Sequence, residues 1–440
     1  MNYSKFFTLA KEAGIDQSQL YISKSKSMNV KLYHHEIESY KVNETQSVVA
    51  TAIVDGKFVT ARTERLDSST FPYLINSLQN AAKFLEKPAE VDLFEGSPKY
   101  KRWQPYNKHL EEIPTKTKLE ALFHFDDLLA KGHPLVTETN GVSFSESYGE
   151  QIMMNSHGLK LAYRSNLFFY QGGVIVKQGE ETKTNYDYFF GNEFEQFNPE
   201  ALAKKIVKEA ISKLGSTSIK TKQYPTVLSR DVFSSLLETL LGAASADEVQ
   251  RHSSFLEGQL GKQIVSKKLT ILENPYQKDF FYNYFDSEGV ATIKKFVIKN
   301  GVLMTYFHNR ETAKKDGVES TGNAELHGKK MGIGFGNIIV KPGKSSFNEM
   351  ISTIKEGVYI TDVSGLHSGL NPTSGDFSCQ AEGFKIIDGK IAGPLSLITL
   401  SGNILKMFND VKCLDNETQL LISSMTLPNV YIKKMNIGGL

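Results

Sequence analysis

Residues 15–63 alternate apolar and polar side chains, a pattern typical of β-strands with one buried face. Asp55-Gly56 is a strong hairpin signal between the last two strands. The predicted strands are residues 20–23, 30–34, 38–42, 48–54 and 58–63. Apolar residues at helical spacing precede this meander (4–13) and follow it (about 67–85). The first unit is therefore predicted to be a sheet with helices packed on it.

The next part of the chain repeats this mixture. Residues 88–114 are rich in proline and have little periodicity, which marks a boundary or a long surface connection. A helix is predicted at 117–131, strands between 136 and 190, and a helix that begins at Asn198-Pro199. Residues 215–223, GSTSIKTKQ, are small, polar and aperiodic, which predicts an interdomain linker.

Beyond the linker, a strand at 225–228 is followed by an apolar helix, with Ser229 as its predicted N-cap. A hairpin is predicted around Asn300-Gly301, and Ser346 with Glu349 forms a capping box. The prediction is an α+β protein, an N-terminal sheet-and-helix part followed by a strand-rich C-terminal domain with a few helices. The predicted division is 1–87, 88–214, linker 215–223 and 224–440.

Residues 365–384, GLHSGLNPTSGDFSCQAEGF, combine a polar, glycine-rich loop with a strand. Phe377, Cys379 and Ala381 would share one face of that strand. If the edge of the strand were open, an extended peptide could be added to the sheet beside it. The alternative is a tight β corner without a ligand, which the glycine and asparagine residues also favour.

Composition narrows the classes of function. Lys plus Arg total 51 against 49 Asp plus Glu, and the lysines are scattered, so direct nucleic-acid binding is disfavoured. The chain has only two cysteines, in no metal-binding spacing, which favours a reducing, cytoplasmic location. It has no apolar run long enough to span a membrane.

The residues alone do not assemble an active site. No two of the ten histidines have the helical spacing of a zinc site, and His34 and His35, adjacent in a predicted strand, would point to opposite faces. The segment G-L-H-S-G at 365–369 misses the nucleophile-elbow pattern by one place. The glycines of M-G-I-G-F-G at 331–336 lack the spacing of a phosphate-binding loop.

Several segments taken together resemble the TldD/PmbA family, and specifically its PmbA branch, also called TldE. They occur in order along the chain: N-S-H-G at 155–158, S-S-F-L-E-G-Q-L-G at 253–261, F-D-S-E-G-V at 285–290, K-N-G-V-L at 299–303, S-T-G-N-A at 320–324, G-L-H-S-G-L-N-P-T-S-G-D-F-S at 365–378, G-N-I-L at 402–405 and N-I-G-G at 436–439.

The resemblance implies a cytoplasmic peptidase complex of two related subunits that acts on unfolded or ribosomally made peptides. In the TldD-type subunit, a helix bears H-E-x-x-x-H, and a cysteine near the C-terminus is a further zinc ligand. The corresponding helix here, VFSSLLETLLG at 232–242, contains no histidine. Leucines 236, 237, 240 and 241 are expected to occupy the surface that a metal would need, and Cys413 has no histidines to join.

The resemblance therefore predicts a non-catalytic subunit that holds no metal itself. Zinc is expected only in a TldD-like partner, and a homodimer of the isolated chain stays open. The candidate peptide-binding loop comprises His367, Asn371, Ser374, Gly375 and Asp376. One alternative is a regulatory protein similar to a modulator of DNA gyrase. The other is an autonomous hydrolase that uses His367, Ser374 or Asp376 in an unrecognised arrangement.

Overall fold

The computed structural model describes residues 2–86, 88–89, 91–327 and 330–440. Within them, no helix combines the length and apolar character needed to cross a membrane. The elements of the N-terminal half are α1 Ser4–Glu12, β1 Gln17–Tyr33, β2 Glu36–Val54, β3 Lys57–Thr63, α2 Thr70–Lys83, α3 Lys108–Glu112, α4 Thr115–Ala130, β4 Val136–Asn155, β5 Lys160–Gln178, β6 Glu181–Gly191, a 3-10 turn Phe194–Gln196, and α5 Pro199–Ser212.

The N-terminal strands form one six-stranded antiparallel sheet in the order β3-β2-β1-β4-β5-β6. β1 pairs with β4 from Gln19–Asn155 to Lys31–Ser143. Strands from either side of the predicted 87/88 boundary therefore share a sheet. Lys87, where the first predicted domain ends, lies outside the described residues.

Helices cover one face of this sheet in two groups. Leu20 and Ile22 of β1 are buried with α1 and α2, whereas Val30 and Leu32 are buried with α4 and α5. The alternation along β1 sets these four side chains on one face. α1 and α5 begin where the sequence predicts, and Asn198 caps α5 by accepting a hydrogen bond from Ala201 N. α4 begins at Thr115, two residues before its predicted start, and the short α3 lies in the stretch predicted as an aperiodic connection.

The predicted four-strand meander before residue 54 is two long strands. β1 and β2 pair from Gln17–Ile53 to Tyr33–Glu36, and the turn between them is His34-His35. Both histidines have positive φ, 48° and 61°, in the left-handed region used by two-residue hairpin turns. The prediction that these histidines lie within a strand, on opposite faces, is therefore wrong.

The predicted linker is tied to both halves of the molecule. Gly215 N donates to Glu181 Oε2 (2.7 Å), and Thr217 N donates to Pro394 O (3.2 Å). The next strand begins at Lys222, inside the predicted linker range. These bonds fix the connection instead of leaving it a free spacer.

The C-terminal half is rich in strands. Its elements are β7 Lys222–Leu228, α6 Arg230–Ala243, α7 Ala246–Gln250, β8 Ile271–Glu273, β9 Lys295–Lys299, β10 Val302–Leu303, α8 Arg310–Asp316, β11 Ala324–His327, β12 Lys330–Ile333, β13 Ile338–Val340, α9 Phe347–Ser352, β14 Glu356–Ser364, α10 Leu366–Gly369, β15 Asp376–Ile387, β16 Lys390–Asn403, α11 Ile404–Asn409, β17 Val411–Leu414, β18 Gln419–Leu420, β19 Met425–Leu427 and β20 Val430–Gly438. The α+β prediction is confirmed.

One C-terminal sheet has the order β16-β15-β14-β7-β20-β17, and an additional pairing of β16 with β20 joins five of its strands into a ring. A second sheet has the order β10-β9-β8-β13-β19-β18. β15 pairs with β14 on one side and β16 on the other. On the β14 side the ladder stops at Gln380, and residues 376–379 have only the isolated bridge from Leu370 to Phe377. β15 is therefore an inner strand, which disfavours the peptide addition beside it that the sequence suggests.

The second face of the N-terminal sheet packs on the segment between β8 and β9. Met153 and Leu161 are buried with Tyr282, Tyr284 and Phe285. Tyr163 Oη donates to Tyr282 O (2.7 Å), and the hydroxyl of Tyr284 donates to the carbonyl of Ala162. The two halves thus share a packed, hydrogen-bonded interface.

Candidate functional site

Helix α6 forms one wall of a cleft in the C-terminal half. Ser229 Oγ caps the helix, as predicted, by accepting a hydrogen bond from Val232 N (3.3 Å). The leucines at 236, 237, 240 and 241 are at most 1% exposed and belong to the core. They do not form the surface predicted for them. The positions that line the cleft are Ser235, Glu238, Thr239, Gly242 and Ala243.

The cleft has a volume of about 600 Å³. Its other walls come from the start of α7, from β12 and the residues after it, and from the segment around α10. Phe307 and Phe335 stack with their ring centroids 5.6 Å apart, and Leu366 and Leu370 add aliphatic surface. A concave apolar surface with a few polar groups is typical of a binding site.

The charged groups of the cleft are mainly acidic. Asp247 and Glu248 line it, and both contact Arg251, at 2.9 and 2.6 Å from its guanidinium. Glu238 lies on the exposed side of α6, and in the part of the chain that the structure describes no ion pair to it is found. His367 is the one imidazole among the described lining residues. The cleft therefore offers carboxylates and one histidine together with aromatic and aliphatic side chains.

The turn after α10 is built by hydrogen bonds among the predicted site residues. Asn371 Oδ1 accepts from Thr373 N (2.9 Å) and Ser374 N (3.1 Å). Ser374 Oγ donates to Asp376 Oδ2 (2.9 Å), and Asn403 Nδ2 donates to Asp376 Oδ1 (2.9 Å). The bonds from Asn403 and then Ser374 lower the pKa of Asp376. Three of the five predicted residues are thus occupied in holding the turn.

Gly375 completes this turn. Its φ is +75°, and a Cβ placed there would lie 3.3 Å from the ring of Phe255. Among the five candidates, only His367 lines the cleft, where it is joined by its neighbours Pro372 and Thr373. Sequence reasoning missed Glu238, Leu366 and Leu370 as lining residues. A signal existed for Glu238, since it is the second carboxylate of α6.

The geometry does not form a nucleophilic triad. A serine nucleophile needs a neighbouring base to accept its proton. Ser374 Oγ donates to Asp376, and no hydrogen bond joins His367 to either residue within the described ranges. Within the described residues, His367, Ser374 and Asp376 therefore do not form a Ser-His-Asp triad.

A second cavity, of about 500 Å³, lies between the two halves and contains the buried Asp286. Asp286 Oδ1 accepts from Glu288 N and Val290 N (both 2.9 Å), and Oδ2 accepts from Ala324 N (3.0 Å). Burial and then the charge of Glu288 raise the pKa of Asp286 to about 7. Asp286 thus ties the F-D-S-E-G-V segment to the start of β11.

Comparison with known families matches both parts of the chain. Residues 108–214 match the PmbA/TldA metallopeptidase central domain, and residues 221–439 match the PmbA/TldA metallopeptidase C-terminal domain. The chain belongs to the PmbA/TldD family. The predicted family is confirmed, and its members include proteins named metalloproteases.

Individual relatives of the PmbA/TldD family cover nearly the whole chain. The metalloprotease PmbA of Escherichia coli O157:H7 is 26% identical over 432 residues, which cover 96% of this chain and 92% of that protein. A Thermotoga maritima MSB8 structure, described as a proposed modulator of a DNA gyrase, is 28% identical with a TM-score of 0.92, covering 99% of both chains. TldE of Thermococcus kodakarensis, 20% identical, shares the fold with a TM-score of 0.91 over 99% of both chains.

The residues of this PmbA/TldD family member do not fit a zinc ion in the cleft. α6 contains no histidine, and no cluster of three or more histidine, cysteine, aspartate or glutamate side chains suited to a metal occurs within residues 2–86, 88–89, 91–327 and 330–440. Cys413 lies on β17 and packs beside the cluster around Met350, away from the cleft lining. Burial raises the pKa of both Cys379 and Cys413, which disfavours the thiolate that a zinc ligand requires.

Proposed function

We propose that this chain is the zinc-less subunit of a two-subunit metalloprotease of the TldD/TldE type, which processes or degrades unfolded or ribosomally made peptides. The observation that carries the proposal is the composition of α6. Its cleft-facing side presents Ser235, Glu238, Thr239 and Gly242, without an imidazole. A zinc protease needs three protein ligands around an activated water.

The proposed contribution of the subunit is peptide binding in the cleft. Phe335, Leu366 and Leu370 supply apolar contacts for side chains, with the buried Phe307 stacked against Phe335, and His367 supplies a polar group beside them. The turn that positions α10 is fixed by the bonds around Asn371 and Asp376. In this proposal, Asn371, Ser374, Gly375 and Asp376 support the loop and His367 contacts the peptide.

The test is to purify the chain alone and together with a chain that bears H-E-x-x-x-H. Zinc content and cleavage of an unstructured peptide are then measured for each. We expect no stoichiometric zinc and no sustained turnover from the chain alone, and cleavage when both chains are present. Stoichiometric zinc or multiple turnovers by the isolated chain would overturn the proposal.

A variant pair tests the role of the cleft in the same assay. Leu370→Asp places a charge on the apolar part of the cleft, whereas Ile387→Asp places one at the far end of β15, about 36 Å along the strand from Asp376. Leu370→Asp should raise the KM of the two-chain enzyme about ten-fold, the effect of losing one well-packed apolar contact. Ile387 is 47% exposed, so its variant should cleave like the wild type.

A second candidate is regulation of DNA gyrase, because the Thermotoga maritima relative is described as a proposed gyrase modulator. The near balance of 51 basic and 49 acidic residues favours a protein partner over DNA in that case. A pull-down that returns gyrase subunits, and no chain with H-E-x-x-x-H, would favour this function over the first.

A further inference from the structure

The first half of β2 is an unpaired sheet edge. β1 pairs along β2 from Glu36 to Ile53, but β3 pairs only with Val48–Val54. Within the described residues, no strand pairs with the outer side of residues 36–47, here called the open edge. Twelve residues of strand span about 40 Å. Backbone groups left unpaired in this way can accept a strand from another chain.

The open edge also exposes apolar side chains. Tyr40 and Val42 are 48% and 53% exposed, and Ile37 is 44% exposed. Tyr40 pairs with the buried Val30 of β1, and Val42 pairs with Met28. Tyr40 and Val42 therefore lie on the face of the sheet that α4 and α5 cover further in. Apolar groups beside an open edge are the composition expected of a docking surface.

The open edge is held in a defined position. Its hairpin turn contacts α4, because His35 Nδ1 lies 2.6 Å from Oδ2 of the buried Asp126. Lys31 Nζ lies 2.8 Å from Glu38 Oε2 across the two strands, and Tyr40 Oη donates to Met28 Sδ (3.4 Å). A preformed edge reduces the ordering cost of binding.

Charge selects the kind of partner. The open edge carries Glu36, Glu38 and Glu44 against one basic residue, Lys41. Lys31 pairs with Glu38, whereas no ion pair to Glu36 or Glu44 is found among the described residues. In an antiparallel pair of two copies centred on Lys41, Glu38 of each chain would lie opposite Glu44 of the other, which disfavours self-association in that register. A strand with lysine or arginine side chains would instead form cross-strand ion pairs.

We propose that the open edge receives an extended, basic segment of the zinc-bearing subunit, which adds a strand beside β2 and packs apolar side chains on Tyr40 and Val42. The inference rests on the proposed two-subunit function and assigns its docking surface. Strand addition here lengthens the six-stranded sheet and joins the two chains by main-chain hydrogen bonds.

The experiment measures assembly of the full chain with a chain that bears H-E-x-x-x-H. The variant Tyr40→Asp with Val42→Asp should weaken the complex at least about ten-fold, since it removes apolar contacts and adds like charge. The matched control is Tyr186→Asp, a 72% exposed position on β6, the opposite edge strand of the same sheet. Circular dichroism and the melting temperature confirm folding of each variant.

A second readout is amide hydrogen exchange, because strand addition protects the outward amides of residues 36–47 in the complex. Unchanged affinity of the double variant, together with unchanged amide exchange of the open edge, overturns the inference. The proposed function still stands in that case if the two chains together cleave the peptide. A wild-type chain that forms no complex with the zinc-bearing chain contradicts both. A homodimer that forms through the open edge and is lost in the double variant also overturns the choice of partner.

Discussion

At the residue scale, Asp286 makes stability depend on pH. Its pKa is raised from 3.8 to about 7 in the folded chain, so the folded carboxyl binds its proton more tightly than the unfolded one. The stabilisation is complete below pH 3.8 and is lost as pH rises through 7. The loss in the free energy of unfolding is at most about 4 kcal/mol.

Asp286→Asn should therefore reduce the fall in unfolding free energy between pH 4 and pH 7, which urea titrations at each pH would measure. The variant keeps one acceptor oxygen but cannot accept all three backbone bonds, so it should also be less stable at pH 4. Glu319→Gln, at an exposed position, is the control and should keep the wild-type slope. An equal slope for Asp286→Asn would contradict this assignment.

Residue types predicted the loop better than they predicted its role. Asn371, Ser374, Gly375 and Asp376 are candidate site residues in the sequence because such residues form turns and also line sites. In the structure, their oxygen atoms bond to neighbouring amides and hydroxyls. A polar loop serves one use or the other according to the direction of each side chain. Asp376 is held by Asn403, which is distant in sequence.

At the element scale, strands are predicted correctly where buried and exposed side chains alternate along the chain. β15 alternates buried Phe377, Cys379 and Ala381 with exposed Ser378 and Gln380, as predicted. The prediction fails where both faces are exposed. The middle of the β1–β2 ladder has almost no buried positions, so apolar and polar residues do not alternate there. The sequence therefore predicts four short strands where the structure has two long ones.

Gly365 precedes α10 and Gly375 precedes β15, and the two glycines have similar φ, +80° and +75°. Alanine variants at these two positions can therefore be compared. An alanine at Gly365 meets nothing within 4 Å and bears only the left-handed strain, roughly 1 kcal/mol. An alanine at Gly375 must also displace the ring of Phe255, so it should cost about 1–2 kcal/mol more. Chemical denaturation of the two variants measures the difference. Equal losses would mean that the Phe255 contact does not constrain the turn.

At the scale of the whole molecule, the layers of each half could be anticipated but their contact could not. The N-terminal sheet lies on residues 276–285 through Tyr163, Tyr282 and Tyr284, which come from segments more than a hundred positions apart. Local periodicity carries no information about such pairs. The same limit applies to the cleft, since His367 and α6 line it together from positions more than a hundred residues apart.

Tyr284 tests whether this interface couples the two halves. Its side chain is 1% exposed, and its hydroxyl bonds to Ala162. Tyr284→Ala removes the ring and should cost about 3–5 kcal/mol, whereas Tyr284→Phe removes only the hydroxyl and should cost about 1 kcal/mol. Because the ring lies between the halves, calorimetry should show one transition for the wild type and Tyr284→Phe, and two for Tyr284→Ala. A single transition in Tyr284→Ala, at a temperature no lower than that of Tyr284→Phe, would contradict this prediction. The two halves would then be coupled elsewhere, through residues 215–221 and their bonds to Glu181 and Pro394.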